Sequence, residues 1–493
     1  MRAAALDLMY RRALLLLLAS TLLTSPAGAQ TAVAPAPAAA PTAAGERHPN
    51  IIFILADDLG IGELGCYGQQ KIHTPNVDKL AAEGMRFTQF YAGNAVCAPS
   101  RCSLLTGKHM GHAAVRDNQE RGPTLEGQLP MPAETVTVAQ LLKKAGYYTG
   151  IIGKWGLGMP EDHSGPNDFG FDYSYGFLCQ RVAHTYFPDH LWRNGVSEPL
   201  EKNPPTPLAA RSKIEAAGGT YAHDLMSDDA LKFVREHKAA PFFLYLAYTI
   251  PHFSLQVPED SRSAYEFPEI PYEDAHYASQ PRPRATYAGM ISRMDRDVGR
   301  LMEELKKAGL DENTVVFFSS DNGVTMLKPE ILAEFFGSAG GFRGFKGDLY
   351  EGGIRTPFIA RWPGHIQPGS KSDYIGAFWD LLPTWCELAG TSAPENDGIS
   401  ILPTLLNAGT QKQHPWLYWE YHSAGSSQAV RMGDWKGIRL KVKANPQAAV
   451  ELYNLSSDPS EAADVAAQHP EIVATMREIM SQRTPSPVAR WNF

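Results

Sequence analysis

Cysteine is scarce in this chain, with five in 493 residues at positions 66, 97, 102, 179 and 386. They are too few and too scattered to brace an exported protein of this size, and no pair has zinc-site spacing. One or more must therefore be free or chemically changed. Long basic runs are also missing and the net charge is −8, which removes the electrostatic footprint expected of a nucleic-acid binder. After the N-terminus no apolar run is long enough to span a bilayer. What remains is an ordinary globular composition, 44% apolar and 20% charged, in a chain long enough for one large domain and a smaller one.

The first 29 residues have the grammar of an export signal. Arg2, Arg11 and Arg12 precede the run "ALLLLLASTLL", and Ala27-Gly28-Ala29 offers small residues for cleavage. The Arg11-Arg12 pair is compatible with twin-arginine export. Residues 30–47 are an Ala/Pro-rich linker that cannot bury enough apolar bulk to fold. The expected location is therefore outside the cytoplasm, periplasmic or secreted. Residues 48–390 are expected to form the main domain, and residues 391–493 a C-terminal subdomain.

From residue 49 short apolar runs alternate with amphipathic segments, which predicts an α/β fold with a mainly parallel sheet. "NIIFILADD", "YYTGIIGKW", "APFFLYLAYTIPH" and "NTVVFFSSDNG" read as buried strands. Apolar residues at 287, 291, 294, 298, 301 and 305 mark one helix face. The segment 159–220 reads as loop-rich. After about residue 390, "HPWLYWEYH", "QAVRMGDWKGIRL" and "VELYNL" predict antiparallel strands, followed by a helix in "HPEIVATMREIMSQR".

Asp57, Asp58, Lys154, His252, Asp321 and Asn322 each follow the last apolar residue of a strand. In open α/β sheets the carboxyl ends of the strands form the ligand-binding face, so the topology brings these residues together. Three carboxylates and a carboxamide oxygen suit a hard divalent cation, Ca²⁺ before Mg²⁺, rather than zinc. Without a cation, adjacent carboxylates repel and raise one another's pKa. Cys97, in "NAVCAPSRCSLLTG", precedes a helix. By itself it is open to two readings, a structural cysteine or a thiolate activated by a helix N-terminus and arginine.

The run "CAPSR" followed by "CSLLTG" resembles the type I sulfatase signature Cys-x-Pro-Ser-Arg, in which the cysteine is oxidised to Cα-formylglycine. "ADDLG", "GKWGLG", "IPHFSLQVP", "SSDNG" and "GFKGDLYEGGIRTPFIARWPG" follow the order of that family over about residues 49 to 370. The resemblance implies an alkaline-phosphatase-like three-layer sandwich, with an antiparallel sheet in the smaller C-terminal α+β part. It also implies the roles. Cys97, as a hydrated formylglycine, would attack sulfur, with Arg101 orienting it. Asp57, Asp58, Asp321, Asn322 and residue 97 would hold Ca²⁺. Lys154 and Lys346 would bind the sulfate oxygens, and His252 would protonate the leaving alcohol. Its partners would be a formylglycine-generating maturation enzyme and a substrate that is a sulfated carbohydrate, with aryl sulfates as surrogates.

One position departs from the family. Gly156 in "GKWGLG" stands where the family often has a histidine that contacts the diol. His184, His109 and His112 are candidate replacements, although each by itself reads first as a structural or substrate-contact residue. Tyr186, Trp192 and Trp419 to His422 read as core aromatics. Two rival functions stay open: a phosphate or phosphonate ester hydrolase on the same scaffold, and a non-catalytic sulfoglycan-binding protein with Cys97 unmodified.

Overall fold

The strand Asn50–Asp57 sits at the middle of the molecule with every residue buried. Its side chains alternate between two cores, Ile52, Ile54 and Ala56 on one face and Ile51, Phe53 and Leu55 on the other. A strand buried on both faces must be covered by helices on both faces, which is why its sequence is continuously apolar. Burying one such phenylalanine or leucine contributes roughly 1.5–3 kcal/mol. The computed structural model describes residues 48–205, 207–213 and 219–493. The export-signal and linker expectations for residues 1–47 lie outside the described residues.

Asn50–Asp57 is paired in parallel with Phe242–Pro251 and Thr314–Ser320, and the parallel set continues through Tyr148–Lys154 to Tyr173–Phe177. Antiparallel pairing of Phe358–Arg361 with Thr314–Ser320 and with Met85–Phe87 extends one side, and Ser370–Ser372 closes that edge. The other side gains the hairpin His190–Arg193 and Val196–Pro199, giving ten strands in all. The segment 159–220 is therefore not simply loop. Its short strands have little periodicity of their own and are fixed by pairing onto the sheet.

The helices Pro283–Lys307 and Ala222–Glu236 cover one face. Tyr287, Ile291, Met294, Val298, Leu301 and Leu305 are all buried, as their spacing requires. The helices Cys97–Thr106, Val138–Lys144 and Leu381–Leu388 cover the other face. A separate antiparallel sheet of four strands, Leu417–Tyr421, Ser427–Met432, Trp435–Leu440 and Val450–Asn454, lies C-terminal to these. Helix Pro470–Ser481 packs on it through Met476, Ile479 and Met480. The three-layer α/β architecture with an antiparallel C-terminal sheet is thus as expected. Tyr186 and Trp419 are fully buried, as core aromatics should be, while Trp192 is half-buried and donates its indole N–H to Glu126. Among the described residues no helix is long and apolar enough to cross a membrane.

Candidate active site

Four parallel strands deliver their terminal residues to one place. Asp57 is the last residue of its strand and Asp58 follows with φ of 65°, an uncommon conformation for a residue with a side chain. The turn is held because the Asp58 N–H donates to Asp321 Oδ1 at 3.2 Å. Lys154 ends its strand just after Gly153, whose φ is 122° and where an added Cβ would lie 1.8 Å from the Ala247 carbonyl oxygen. Only glycine permits that approach of neighbouring strands. Its neighbour Lys154 donates to Asp57 Oδ2 at 2.6 Å.

Cys97 opens the helix Cys97–Thr106, all ten residues of which are buried, and the helix stops at Gly107 in the left-handed region. Cys97 itself is 1% exposed, with Sγ 3.4 Å from Asp57 Oδ1 and 3.4 Å from Lys346 Nζ. Arg101, one turn on, places Nε and Nη2 on Asp321 Oδ2 at 3.0 and 2.8 Å. Its Nη1 donates to the Lys154 carbonyl at 2.9 Å, and Nη2 also lies 3.3 Å from Asp57. Lys346 comes from a glycine-bounded loop and reaches Asp58 at 2.8 Å. Its backbone N–H donates to the Val324 carbonyl, and that of Gly347 to the Ala95 carbonyl, which ties the loop to the segments carrying Asn322 and Cys97.

Three carboxylates therefore face three permanent cations in a buried cluster. Burial would raise Asp57, but Lys154, His252, Arg101 and Lys346 together hold it well below the usual carboxylate range. Burial pushes Asp58 up, with Lys346 opposing and Asp57 adding to the rise. Asp321 is pushed up to about 6 by burial and Asp57, against Arg101 and Lys154. The Cys97 thiol is pushed far up by burial and then by Asp321 and Asp57. A thiolate is disfavoured in these surroundings, which argues against the activated-thiolate reading.

Asn322 donates Nδ2 to Asp58 Oδ1 at 2.7 Å, while its buried Oδ1 has no hydrogen-bond partner. A buried acceptor without a donor, beside crowded carboxylates, is the environment a hard cation satisfies. Ligand atoms of Asp57, Asp58, Cys97 and His252 all lie within 4.8 Å of one another. These residues fit a divalent metal.

His252 follows the strand Phe242–Pro251. Its Nδ1 lies 2.5 Å from the Phe253 carbonyl, so that nitrogen carries the proton, and Nε2 is 3.7 Å from Asp58 Oδ2. Burial and the Lys346 cation hold this imidazole well below its ordinary pKa. His184 stacks on it, with ring centroids 5.0 Å apart and planes 12° apart. His109 and His112 sit elsewhere, both within 3.9 Å of Asp397 and against Trp416 and Tyr418 in the case of His109. That placement removes them as replacements at Gly156. The side chain packed against Gly156 is Gln180, whose Nε2 lies 3.2 Å from where a Cβ would be built.

The cluster opens into a cavity of about 360 Å³. Asp58, His252, Lys346 and His184 line it, together with residues that sequence reasoning missed, among them Asn118, Gln180, Tyr277 and Met326. These lie on irregular segments with no periodicity to mark them. The polar run "VRDNQE" at residues 115–120 was a hint for Asn118 alone.

Carboxylates crowded by lysine and arginine at the carboxyl ends of a parallel sheet, open to a polar cavity, equip the molecule to cleave an anionic ester. With the three-layer architecture, this defines a hydrolase of the alkaline phosphatase superfamily. The family description "Sulfatase" matches residues 49–391, and "N-sulphoglucosamine sulphohydrolase, C-terminal" matches residues 342–485. Human arylsulfatase A is 34% identical over 500 residues, covering 90% of this chain and 91% of its own. An N-acetylgalactosamine-6-O-sulfatase of Bacteroides thetaiotaomicron is 30% identical, covering 88% and 93%. The solved structure of Ps i-CgsB in complex with k-i-k-neocarrahexaose superposes with a TM-score of 0.74 at 31% identity, covering 90% and 94%. The chain belongs to the sulfatase family and is a sulfuric ester hydrolase.

Proposed function

We propose that the protein is an exported sulfatase that hydrolyses O-sulfate esters of a carbohydrate, using an oxygen nucleophile made from Cys97 and a single Ca²⁺. The observation that carries this reading is the charge balance of the site, three carboxylates against three cations with the Asn322 Oδ1 acceptor open. A divalent cation added to that balance accommodates about two further negative charges. A sulfate monoester brings one and an ionised oxygen on residue 97 brings the other. A phosphate monoester dianion would bring one too many.

Asp57, Asp58, Asp321, Asn322 and residue 97 would hold the Ca²⁺, which when bound supplies Lewis acidity toward a sulfate oxygen. Since the thiol at 97 resists ionisation, conversion of Cys97 to Cα-formylglycine by a dedicated maturation enzyme, and hydration of the aldehyde, would supply the attacking oxygen. Lys154 and Lys346 would hold the sulfate oxygens as charge builds in the transition state. Arg101 spends its donors on Asp321 and the Lys154 carbonyl, so it would orient residue 97 by fixing the carboxylates around it. The His252 Nδ1–H is anchored on a carbonyl, so Nε2 is the basic atom of the ring; it would take up the proton given off as the oxygen on residue 97 ionises and then deliver it to the leaving alcohol.

A sugar suits the cavity because the amide side chains of Gln119 and Gln128 at its wall offer donors and acceptors for hydroxyls. The named activity of the Bacteroides relative and the oligosaccharide bound by Ps i-CgsB support a saccharide substrate. Residues 48–390 would form the catalytic domain, and the N-terminal 29 residues would direct export.

The test is turnover of defined sulfated mono- and oligosaccharides by protein whose Cys97 conversion has been measured by mass spectrometry, beside matched phosphate and phosphonate esters. Sulfate turnover should be faster by orders of magnitude. Faster phosphate turnover would overturn the reading. An intact thiol in protein from its native host, with no turnover, would leave only a sulfoglycan-binding role.

A further inference from the structure

The helix that begins at Cys97 lacks a conventional start. Its N-cap is Val96, which has no side-chain acceptor, and Pro99 contributes no N–H. The Ser100 N–H reaches the Val96 carbonyl at 3.3 Å. The Ala98 N–H is instead satisfied from another segment, because Asn118 Oδ1 accepts it at 2.9 Å. The same oxygen accepts Gln180 Nε2 at 3.3 Å. Gln180 is fixed in turn, since its backbone N–H donates to Gln128 Oε1 at 2.9 Å. Asn118 is fixed by its own N–H on Asp117 Oδ1, while Asp117 Oδ2 accepts the Ser423 hydroxyl at 2.7 Å. Both amides line the cavity, and Gln180 fills the space beside Gly156.

We propose that Asn118 and Gln180 are positioning residues, a cap supplied in trans that holds the first turn of the cysteine helix and so sets where the reacting atom of residue 97 points. The inference rests on residue 97 being the source of the nucleophile. A free helix N-terminus frays, and a reacting atom on its first residue would move with it. The cap also joins three otherwise separate segments, so the wall of the cavity and the nucleophile are fixed by one oxygen atom. No proton transfer is assigned to either amide.

The test compares Asn118→Ala, Asn118→Asp and Gln180→Ala at equal, measured Cys97 conversion. Kinetics on an aryl sulfate are paired with hydrogen–deuterium exchange of the peptide spanning residues 94–105. Asn118→Ala and Gln180→Ala should lower kcat by about 10- to 100-fold with KM changed less than about threefold, the range seen when a supporting contact is lost. Exchange of the peptide should quicken in both. Asn118→Asp retains an acceptor for the Ala98 N–H and should keep both protection and most of kcat. Unchanged exchange with unchanged kcat would overturn the proposal, as would a loss confined to KM, which would mark a substrate contact. If converted wild-type protein turns over no sulfate ester, the sulfatase reading fails while the exchange measurement still decides the cap. Should Asn118→Ala not fold, Gln180→Ala carries the same comparison.

Discussion

Two buried ionic clusters in this molecule use the same kinds of side chain to opposite ends. Around Glu420 one carboxylate meets an excess of donors. Arg116 and Arg483 each reach Oε1 at 2.9 Å, and His422 Nε2 lies 2.9 Å from the same oxygen. Oε2 accepts the Tyr418 hydroxyl at 2.7 Å and Arg483 Nε at 2.5 Å. Burial would raise this carboxyl, but His422, Arg483 and Arg116 hold it down to about 2. Around Asp57 the cations match the carboxylates in number, yet the carboxylates crowd one another. Asp58 and Asp321 are pushed up, and Asn322 Oδ1 goes unpartnered. A closed cluster fastens the C-terminal sheet to the segment after the cysteine helix, whereas an open one, beside a cavity, is arranged for something still to arrive. Each cluster leaves one buried atom without a partner, His422 Nδ1 in the first and Asn322 Oδ1 in the second; what sets the second apart is an open acceptor among crowded carboxylates beside a cavity, rather than the count of charges.

The comparison can be broken at its sharpest point first. Cys97→Ala should abolish sulfate ester turnover, by on the order of 10⁴-fold or more, with the melting temperature within about 2 °C of wild type. Residual turnover above that level would detach catalysis from residue 97. Asp58→Ala should come next, losing roughly 10²- to 10³-fold in kcat/KM together with calorimetric Ca²⁺ binding. Retained affinity in the titration would remove Asp58 from the metal set.

The closed cluster should answer in stability instead. Glu420 has a folded pKa near 2 against an ordinary 4.5. Its depressed value means the stabilisation is fully present above pH 4.5 and is lost as pH falls through 2, about 3 kcal/mol in total. Glu420→Gln should therefore destabilise the protein at pH 7 by about that amount and flatten the acid limb of denaturant melts between pH 4.5 and 2. Chelation provides the complementary measurement, lowering the melting temperature by several degrees in wild type and in Glu420→Gln alike. A chelator effect that vanished in Glu420→Gln would show the clusters to be coupled. The smallest effect belongs to the rim. Met326 lines the cavity and is 56% exposed, so Met326→Ala should raise KM for an oligosaccharide about two- to threefold and leave an aryl sulfate unaffected.

Most of the sheet was legible because its strands are buried on both faces and announce themselves as apolar runs. The residues at their ends were legible for the same reason: Asp57, Lys154, His252 and Asp321 each follow a run that cannot continue into water. Cys97 and Lys346 required the family motifs, since no periodicity leads to either. The hairpin 190–199 was not visible, because its strands acquire their conformation from pairing rather than from propensity. Asn118 and Gln180 were missed because amides on irregular segments carry no pattern, and their partners lie 20 and 62 residues away in sequence. His109 and His112 are candidates at Gly156 from sequence, with a structural or substrate-contact role favoured for each, and in the folded chain both turn to Asp397.

The burial of Cys97 also sets an order in time. A side chain 1% exposed within the first turn of a buried helix is beyond the reach of another enzyme once the chain has closed around it. Any enzyme that oxidises Cys97 must meet the chain while this segment is still extended. The fate of the residue would then be decided during biosynthesis, in a race between modification and folding, and protein that folds first would keep its thiol for the rest of its life.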